Sequence, residues 1–358
     1  MTKFKGDFGL QFVTHIATHY SIPEWVELAR LAHDKGFHQL WINDNVGYRP
    51  PLVLLSAVAA QIPIPIGIAV LVPYFHQPLD LVDSLAALSE LCDGREIGVG
   101  LARGSLAITA REVEVVRPLT MVRETAQFLR QVLAGEEVAY RDYPLLRDYY
   151  HLNPSGKFHL SFSPASPFCF YGGGIGPKAL QVTGQVMDGL ISSGTFISMV
   201  RAGRQAGLLK IAEESARQSR PGLTLRKMCE LNVSISQDRS KALEYPKRQV
   251  VQVALQWETF GFTAEEYDAL GVKREQVLKL KERLEAGASI TEAASVVNED
   301  MVRACYVAGQ PEEVVEQIVQ LSDIAADLGY DQIALAKLGP DYREAITLLA
   351  DQIMPALR

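Results

Sequence analysis

The feature that most constrains the fold is a regular alternation of short apolar runs with longer amphipathic segments. Eight of the apolar runs have the length of a β-strand, and most are almost continuously apolar. They are Phe8–His15, Gln39–Asp44, Ile66–Val72, Ile97–Leu101, Phe168–Tyr171, Leu190–Ser193, Cys229–Ile235 and Gln332–Ala336. Near-continuous apolar strands indicate a parallel sheet that is covered by helices on its faces.

A helical segment follows each predicted strand, directly or after an insertion. Ser21 is a candidate N-cap for the first helix, and Gly36 is a candidate stop. The predicted helices are Pro23–Lys35, Pro51–Gln61, Leu79–Leu91, Thr120–Leu133, Pro177–Val186, Met199–Gln218, Pro311–Leu328 and a last one from Tyr342 to the C-terminus. Eight such units predict an α/β fold, a (β/α)8 TIM barrel, and an open doubly wound sheet is the alternative.

Two stretches depart from the repeat. Glu136–Pro167 is polar and rich in Tyr, Pro and Ser, which predicts an excursion before strand five. Arg239–Glu299 is predicted to be a helical insertion after strand seven. Neither stretch has the apolar content expected of a separate domain, so the chain is interpreted as a single barrel domain over residues 1–358. Such excursions often build a lid or a binding wall.

Composition narrows the class of protein. Hydrophobic residues make up 48% and charged residues 22%, the balance of a soluble globular protein, and a net charge of −7 argues against nucleic acid as a partner. The most apolar region, Pro51–Pro73, is interrupted by polar and proline residues, and the N-terminus lacks the apolar stretch of a signal peptide. Four scattered cysteines without a CxxC motif predict no zinc site or disulfide framework. The expectation is a cytoplasmic protein with a small-molecule substrate, no metal and no membrane partner.

In a TIM barrel the chemistry lies at the carboxyl ends of the strands. The sequence GGGIGPK at Gly172–Lys178 follows strand five there and opens a helix. Glycine lets backbone N–H groups approach an anion, and the helix N-terminus adds partial positive charge. This pattern is typical of a phosphate site, and a tight turn that needs only flexible backbone is the alternative.

Three other strand ends carry candidate residues. Asp44 ends strand two and points into the barrel mouth or caps the next loop. His76 on the loop after strand three is either catalytic or merely solvated or hydrogen-bonded. Gly98 and Gly100 on strand four leave room for a flat ring, with Arg103 beyond them to meet a phosphate or an electron-rich ring. The alternative for strand four is a closely packed glycine strand with a surface arginine.

At these places the sequence resembles the luciferase-like monooxygenase superfamily, which binds flavin mononucleotide or the deazaflavin coenzyme F-420. Within the superfamily it is most similar to the methylenetetrahydromethanopterin reductase branch and its F-420-dependent dehydrogenase relatives. The matching pieces are FGLQFV at Phe8–Val13, GFHQLWINDN at Gly36–Asn45, GIAVLVPYFHQP at Gly67–Pro78, LSELCDGREIGVG at Leu88–Gly100, GIGPKALQVTGQVMDGLISSG at Gly174–Gly194, VAGQPEEVVEQI at Val307–Ile318 and GYDQIAL at Gly329–Leu335.

The resemblance implies roles for particular residues. Backbone amides of Gly174–Gly176 would hold the cofactor phosphate, Asp44 and Asn45 would lie beside the ring, and Ala69-Val70 would form a non-prolyl cis peptide bond that supports it. The candidate cofactor-binding residues are Asp44, Asn45, Ala69, Val70, Gly98, Gly100, Arg103, Gly173, Gly174, Ile175, Gly176, Ser192 and Ser193. The candidate catalytic residues are Gln11, His15, Asp44 and His76.

The chain also departs from these relatives. Gln11 stands where the reductases have a glutamate, and an amide cannot donate a carboxyl proton. Asn45, Leu101 and Thr195 stand where the sugar-phosphate dehydrogenases have His, Glu and Lys, which argues against glucose 6-phosphate as the substrate. The candidates left for handling a proton are His15, Asp44, His76 and Glu230.

Three functions are compatible with these residues. The favoured one is an F-420-dependent oxidoreductase that transfers a hydride between the cofactor and a small organic substrate, for example a methylene-tetrahydropterin that carries one carbon. The alternatives are an FMN-dependent monooxygenase and a non-catalytic barrel that binds a flavin or deazaflavin. A homodimer or homotetramer is expected from the resemblance.

Overall fold

Eight parallel strands close into a barrel in the computed structural model, which describes residues 3–357 except the side chains of residues 106–108. The described strands are β1 (Asp7–Phe12), β2 (Leu40–Ile42), β3 (Ile66–Leu71), β4 (Ile97–Leu101), β5 (Val138–Ala139), β6 (Lys157–Phe158), β7 (Phe168–Gly173), β8 (Gly189–Ser192), β9 (Arg226–Ile235), β10 (Val307–Gly309) and β11 (Gln332–Gly339). Of these, β5, β6 and β10 lie outside the closed barrel. Around the barrel, β1 pairs with β2 and β11, and β8 pairs with β9. The predicted TIM barrel is confirmed, and the open sheet is excluded because the first and last strands pair.

Helices surround the barrel. They are α1 (Ile22–Asp34), α2 (Pro51–Ala59), α3 (Pro78–Glu90), α4 (Leu106–Glu112), α5 (Pro118–Leu133), α6 (Pro144–Tyr149), α7 (Pro177–Val186), α8 (Phe196–Arg201), α9 (Gln205–Ser219), α10 (Arg239–Glu244), α11 (Lys247–Thr259), α12 (Ala264–Leu270), α13 (Arg274–Glu285), α14 (Ile290–Ala293), α15 (Glu299–Cys305), α16 (Pro311–Asp327), α17 (Tyr342–Leu348) and α18 (Met354–Leu357). Ser21 caps α1, as predicted, by accepting a hydrogen bond from the Glu24 amide. In the part of the chain that the structure describes, no helix is both long and apolar enough to cross a membrane.

Two elements differ from the sequence-based expectation. The helix predicted over Met199–Gln218 is broken into α8 and α9, because Gly203 takes a left-handed φ of 71° between them. The short strand β10 was not predicted, and it pairs in parallel with Val233–Ile235 of β9 outside the closed barrel. Three residues are too few to give a periodic pattern that distinguishes a strand from a loop.

A large aromatic side chain fills the amino-terminal half of the barrel interior. Trp41 on β2 is fully buried, and its indole N–H donates to Gln332 on β11 at 2.7 Å. A Cβ on Gly67 or Gly98 would lie 2.4 Å or 2.3 Å from the Trp41 ring, so both strands need glycine at this level. Trp41 therefore fills the barrel interior on its amino-terminal side. The opening at the carboxyl ends of the strands is the mouth of the barrel.

The excursion over residues 136–167 is more ordered than its composition predicted. Strands β5 and β6 form an antiparallel pair, and α6 begins shortly after β5. The buried Glu124 on α5 fixes this helix by accepting from the amides of Leu145 and Leu146 at 2.9 Å and 3.1 Å. The excursion is thus hydrogen-bonded to the helical layer of the barrel.

The helical insertion packs around a second hydrophobic core that the sequence interpretation did not anticipate. Helices α11–α15 enclose buried side chains, among them Trp257, Tyr267 and Met301. The sequence obscured this core because its apolar residues are spread thinly over several short helices, and only their packing brings the residues together.

Candidate active site

The glycine-rich turn after β7 presents unpaired backbone amides at the barrel mouth. Gly176 is the N-cap residue of α7 with φ of −73°, and Pro177 takes the first helical position. Within residues 3–357, no acceptor bonds the amide hydrogens of Gly174, Ile175 or Gly176. A Cβ on Gly176 would meet nothing within 4 Å, so the turn is open on the side that faces away from the protein. Free amides at a helix N-terminus suit a phosphate group, and this turn therefore fits a phosphorylated cofactor.

A bulge in β3 shapes the wall next to this turn. The Ala69–Val70 peptide bond is cis, as the resemblance implied. The Val70 side chain lies against two glycines, because a Cβ would come within 2.9 Å of Val70 Cγ1 from Gly100 and within 2.7 Å from Gly173. These four residues form one continuous, narrow surface at the mouth, which fits a flat ring system.

Gly98 differs from its predicted role. The Trp41 ring fills the space beside it, so Gly98 lies one layer below the mouth and leaves no room there for a cofactor ring. The alternative interpretation, a closely packed glycine strand, is correct for this position.

Gln11 and Glu230 are bonded to each other near the upper end of the barrel interior. Gln11 Nε2 donates to Ala69 O at 2.8 Å and to Glu230 Oε1 at 3.0 Å, which uses both amide hydrogens. Burial raises the pKa of Glu230, while the charge of Lys337 and the hydrogen bond from Gln11 act in the opposite direction. Glu230 is therefore a buried carboxyl group that is held in place. It keeps its proton to a higher pH than a surface glutamate does.

His15 lies beyond the end of β1 and is held by two asparagines from the end of β2. Asn43 and Asn45 place their side-chain nitrogens 3.1 Å and 2.7 Å from His15 Nδ1. Burial, and then the charge of Lys337, lower the pKa of His15 to about 4. His15 is therefore neutral at physiological pH and does not act as a cationic acid there.

Asp44 and His76 form a pair across the loops after β2 and β3. Asp44 Oδ2 accepts from the Val72 amide at 3.1 Å and lies 2.8 Å from His76 Nε2. The His76 side chain is 19% exposed and that of Asp44 is 6% exposed, so the pair is mostly shielded from water. The carboxylate fixes the orientation of the imidazole, which is the arrangement that a general acid or base needs.

The remaining predicted residues have different surroundings. Arg103 is exposed, and within the described residues its guanidinium makes no hydrogen bond or ion pair. Ser192 is buried, and its hydroxyl bonds Tyr330 and Gln205 at 2.5 Å and 2.9 Å, which engages it between β8 and α9. The half-buried Ser193 lies with its hydroxyl 3.5 Å from that of Thr195.

Two polar residues at the mouth were missed by the sequence interpretation. Lys337 on β11 and Asn232 on β9 both lie beside Gly194, where a Cβ would come within 2.5 Å of Lys337 Nζ and 3.0 Å of Asn232 Oδ1. The sequence signal that could have identified Lys337 is that it is the charged residue within the otherwise mostly apolar β11. A lysine is rarely buried in a core unless it is paired with another group.

Comparisons with known proteins agree with this architecture. The family model for luciferase-like monooxygenases matches residues 7–328. The 5,10-methylenetetrahydromethanopterin reductase of Archaeoglobus fulgidus is 25% identical, over 98% of this chain and 99% of that protein.

Two solved structures share the fold. The coenzyme F420 dependent tetrahydromethanopterin reductase of Methanopyrus kandleri superposes with a TM-score of 0.73 at 22% identity, covering 99% of both chains. An F420-dependent secondary alcohol dehydrogenase in complex with an F420-acetone adduct gives 0.68 at 18% identity, covering 99% of both chains. The resemblance inferred from the sequence motifs is confirmed. The chain belongs to the luciferase-like monooxygenase family.

Proposed function

We propose that this protein is an F-420-dependent oxidoreductase that acts on a small organic substrate. The observation that carries the proposal is the set of free backbone amides at Gly174–Gly176, which open onto the same mouth as the surface formed by Val70, Gly100 and Gly173. A relative named F420-dependent glucose-6-phosphate dehydrogenase, 25% identical over 96% of this chain, supports the choice of cofactor. When bound, the deazaflavin supplies or accepts a hydride, which is a hydrogen transferred with two electrons.

The residues at the mouth divide between holding the cofactor and shaping its surroundings. The amides of Gly174, Ile175 and Gly176 would bind the cofactor phosphate, and Ala69 and Val70 would support its ring. Hydride transfer depends on close and well-aligned placement of donor and acceptor more than on a nucleophile. The rigid glycine-lined wall provides such placement because its neighbours leave no room for larger side chains.

Proton handling falls to the groups that surround the ring site. Glu230 is the carboxyl group near the upper end of the barrel interior, and Gln11 positions it through the 3.0 Å hydrogen bond. The Asp44–His76 pair would serve the same purpose at the outer edge of the mouth. Substrates that lose or gain a proton with the hydride would use one of these groups. A methylene-tetrahydropterin belongs to this class, because the nitrogen that is released when the methylene bridge opens takes up a proton.

An FMN-dependent monooxygenase is the second candidate. The observation that favours it is Arg103, whose exposed guanidinium after β4 is available to a phosphate. Arginine binds phosphate through two parallel hydrogen bonds, so this residue could add to the amides of the glycine turn when FMN binds, and Arg-Gly at Arg103-Gly104 resembles the pair after strand four of the flavin-dependent monooxygenases.

Cofactor binding separates these functions. We expect purified protein to quench the fluorescence of F-420 with a micromolar dissociation constant and to bind FMN far more weakly. Tight binding of FMN alone would overturn the proposal in favour of the monooxygenase. If F-420 binds but no substrate, among pterins and alcohols, changes the deazaflavin absorbance, the protein is a non-catalytic carrier.

A further inference from the structure

Lys337 is directed into the barrel mouth by an irregularity in β11. The pairing of β11 with β9 shifts register between Ala336 and Gly339, and Lys337 takes a left-handed φ of 53° within that bulge. Few residues other than glycine, Asn or Asp adopt this conformation, and bulges often re-aim a side chain next to an active site. The backbone therefore departs from regular strand geometry at the one lysine of the strand.

Burial lowers the pKa of Lys337, and the charge of Glu230 acts in the opposite direction. Within residues 3–357, no carboxylate lies within 4.0 Å of the Lys337 ammonium, and Glu230, whose charge acts on it, is engaged by Gln11. The neighbouring Asn232 is fully buried and donates to Gly194 O and Cys305 O at 2.7 Å and 3.0 Å. Its Oδ1 has no hydrogen-bond partner among the described residues. An ammonium that is shielded from water without an ion pair at bonding distance is costly, and an anion that enters from the open side of the mouth would lower this cost.

His15 supplies a neutral donor to the same region. Asn43 Oδ1 accepts from the Thr14 amide at 2.9 Å, so the Asn43 side-chain nitrogen is the atom that faces His15 Nδ1. Asn45 directs a second N–H at the same ring atom. Nδ1 must therefore accept, and the ring proton lies on Nε2, which has no partner among the described residues. The pKa of about 4 agrees with this neutral tautomer, and the charge of Lys337 contributes to it.

We propose that Lys337 and His15 together bind an anionic group of the substrate, a carboxylate or a phosphate. This inference rests on the proposed function, because it assigns the substrate to the mouth that the cofactor shares. One ammonium and one imidazole N–H are donors without a bonded acceptor, and a carboxylate or phosphate offers acceptors to both. The substrate class is thus an anionic small molecule, bound separately from the phosphate at the Gly174–Gly176 turn.

Histidine ring signals give a direct test that does not depend on turnover. The full-length protein, with 15N-labelled histidine, is titrated with inorganic phosphate and, in a second arm, with acetate. The His15 signals are assigned by their loss in His15→Gln. We expect a saturable shift at Nε2 that is retained in Lys337→Arg and lost in Lys337→Met. An equal shift in Lys337→Met, or none in the wild type, would overturn the proposal.

The Gly176→Asp variant distinguishes the two sources of anionic groups. If the His15 shift persists when this variant blocks the glycine turn, the anion is bound at Lys337 and not at the cofactor phosphate site. Loss of the shift in Gly176→Asp would overturn the proposal. Failure of F-420 to bind the wild type, with the His15 shift intact, would contradict the proposed function alone.

A structural role for Lys337 predicts a different result. If the lysine stabilises the fold, Lys337→Met lowers the melting temperature. We expect it to leave the melting temperature unchanged or to raise it, because an apolar side chain of similar length removes the cost of burying an unpaired charge. A marked decrease together with a retained anion response would assign Lys337 to stability.

Discussion

At the scale of single residues, the polar groups of the mouth fall into two sets. Gln11, Asn43 and Asn232 use their donors on other protein groups, and so they fix the geometry of the site. Among the described residues, the amides of Gly174–Gly176 have no acceptor and the Lys337 ammonium has no carboxylate within 4.0 Å, so these groups can bind ligands. A buried polar group that loses its partner costs about 1–3 kcal/mol, so substitutions in the two sets should differ in their effects on folding and on binding.

Gly176→Asp tests the phosphate role of the glycine turn. The new carboxylate meets no atom within 4 Å at its Cβ, and Asp is a good N-cap residue, so the fold should keep its stability within a few tenths of a kcal/mol. Repulsion of the cofactor phosphate should weaken F-420 binding by about 2–4 kcal/mol, or roughly 30- to 1,000-fold in Kd. Gly176→Asn is the matched control without charge. Equal affinities for both variants in a fluorescence titration would contradict the phosphate assignment.

Gln11→Glu tests the pairing with Glu230. The change removes the donor to Ala69 O and sets two carboxyl groups about 3 Å apart, so we expect a loss of about 2–4 kcal/mol near neutral pH. The two carboxyl groups should share a proton in the folded variant, with a pKa above that of a glutamate in the unfolded chain. The stability is then greatest at low pH and falls as the pH rises through that pKa.

Urea unfolding across the pH range measures this effect. Gln11→Met, which loses the same donors without adding a second carboxyl group, should show a weaker dependence on pH than Gln11→Glu, because only Glu230, without its hydrogen bond from Gln11, then titrates. A pH-independent loss in Gln11→Glu would show that no proton is shared. A gain of activity on methylene-pterins in Gln11→Glu would mark this chain as a reductase that has diverged at this position.

At the scale of elements, the barrel interior is built in layers from alternate residues of neighbouring strands. Trp41 on β2 occupies the lower layer against Gly67 of β3 and Gly98 of β4. Val70 occupies the upper layer against Gly100 of β4 and Gly173 of β7. One large side chain in each layer thus requires glycines on the strands beside it. The candidate site therefore lies at the level of Val70, one layer nearer the mouth than Trp41.

Gly98→Ala should disturb the lower layer. The added Cβ would lie 2.3 Å from the Trp41 ring, and forcing an extra carbon into a packed interior typically costs about 1–3 kcal/mol. Trp41→Leu in the same chain should relieve part of the overlap that Gly98→Ala creates. Gly207→Ala on α9, where a Cβ meets nothing within 4 Å, is the control and should be neutral or stabilising. Thermal unfolding that is unaffected by Gly98→Ala would refute the layered packing.

At the scale of the whole molecule, the inserted helices pack around their own hydrophobic core, and one arginine bonds them to the barrel. Arg204, at the start of α9, forms an ion pair with Glu266 of α12 and donates to Phe260 O and Gly261 O at 2.8 Å and 3.0 Å. Its guanidinium also lies 4.4 Å from the centre of the Phe262 ring. These contacts hold the insertion in one place relative to the barrel.

Arg204→Met should loosen the insertion without unfolding the barrel. Removing one partner of a mostly buried, multiply bonded ion pair costs about 2–4 kcal/mol. Hydrogen exchange should therefore accelerate in α11–α13 and stay slow in the barrel strands. Arg274→Met, which removes an ion pair to Glu258 from a side chain that is 56% exposed, should cost less than about 1 kcal/mol. Equal acceleration in the insertion and in the barrel strands would show that the two parts open together.

Much of the fold could be predicted from the sequence because periodicity is a property of consecutive residues. The eight barrel strands and the helices that cover them follow from local patterns, and so does the glycine turn before α7. The bulge of β11, the strand β10 and the core of the insertion could not be predicted. Each depends on packing between segments that are distant along the chain, and none leaves a local pattern.

The roles of individual site residues divide in the same way. The sequence by itself determined the barrel and the candidate turn at Gly174–Gly176, because these depend on residue types at fixed spacing, and the resemblance of its motifs implied the family and the candidate Ala69–Val70. Only the tertiary structure decided that Gln11 meets Glu230 across 219 residues, that Trp41 displaces any ligand from Gly98, and that Lys337 faces the mouth. Closure of the barrel brings β1, β9 and β11 together, and the direction of a side chain there depends on register and on a bulge that the order of residues does not reveal.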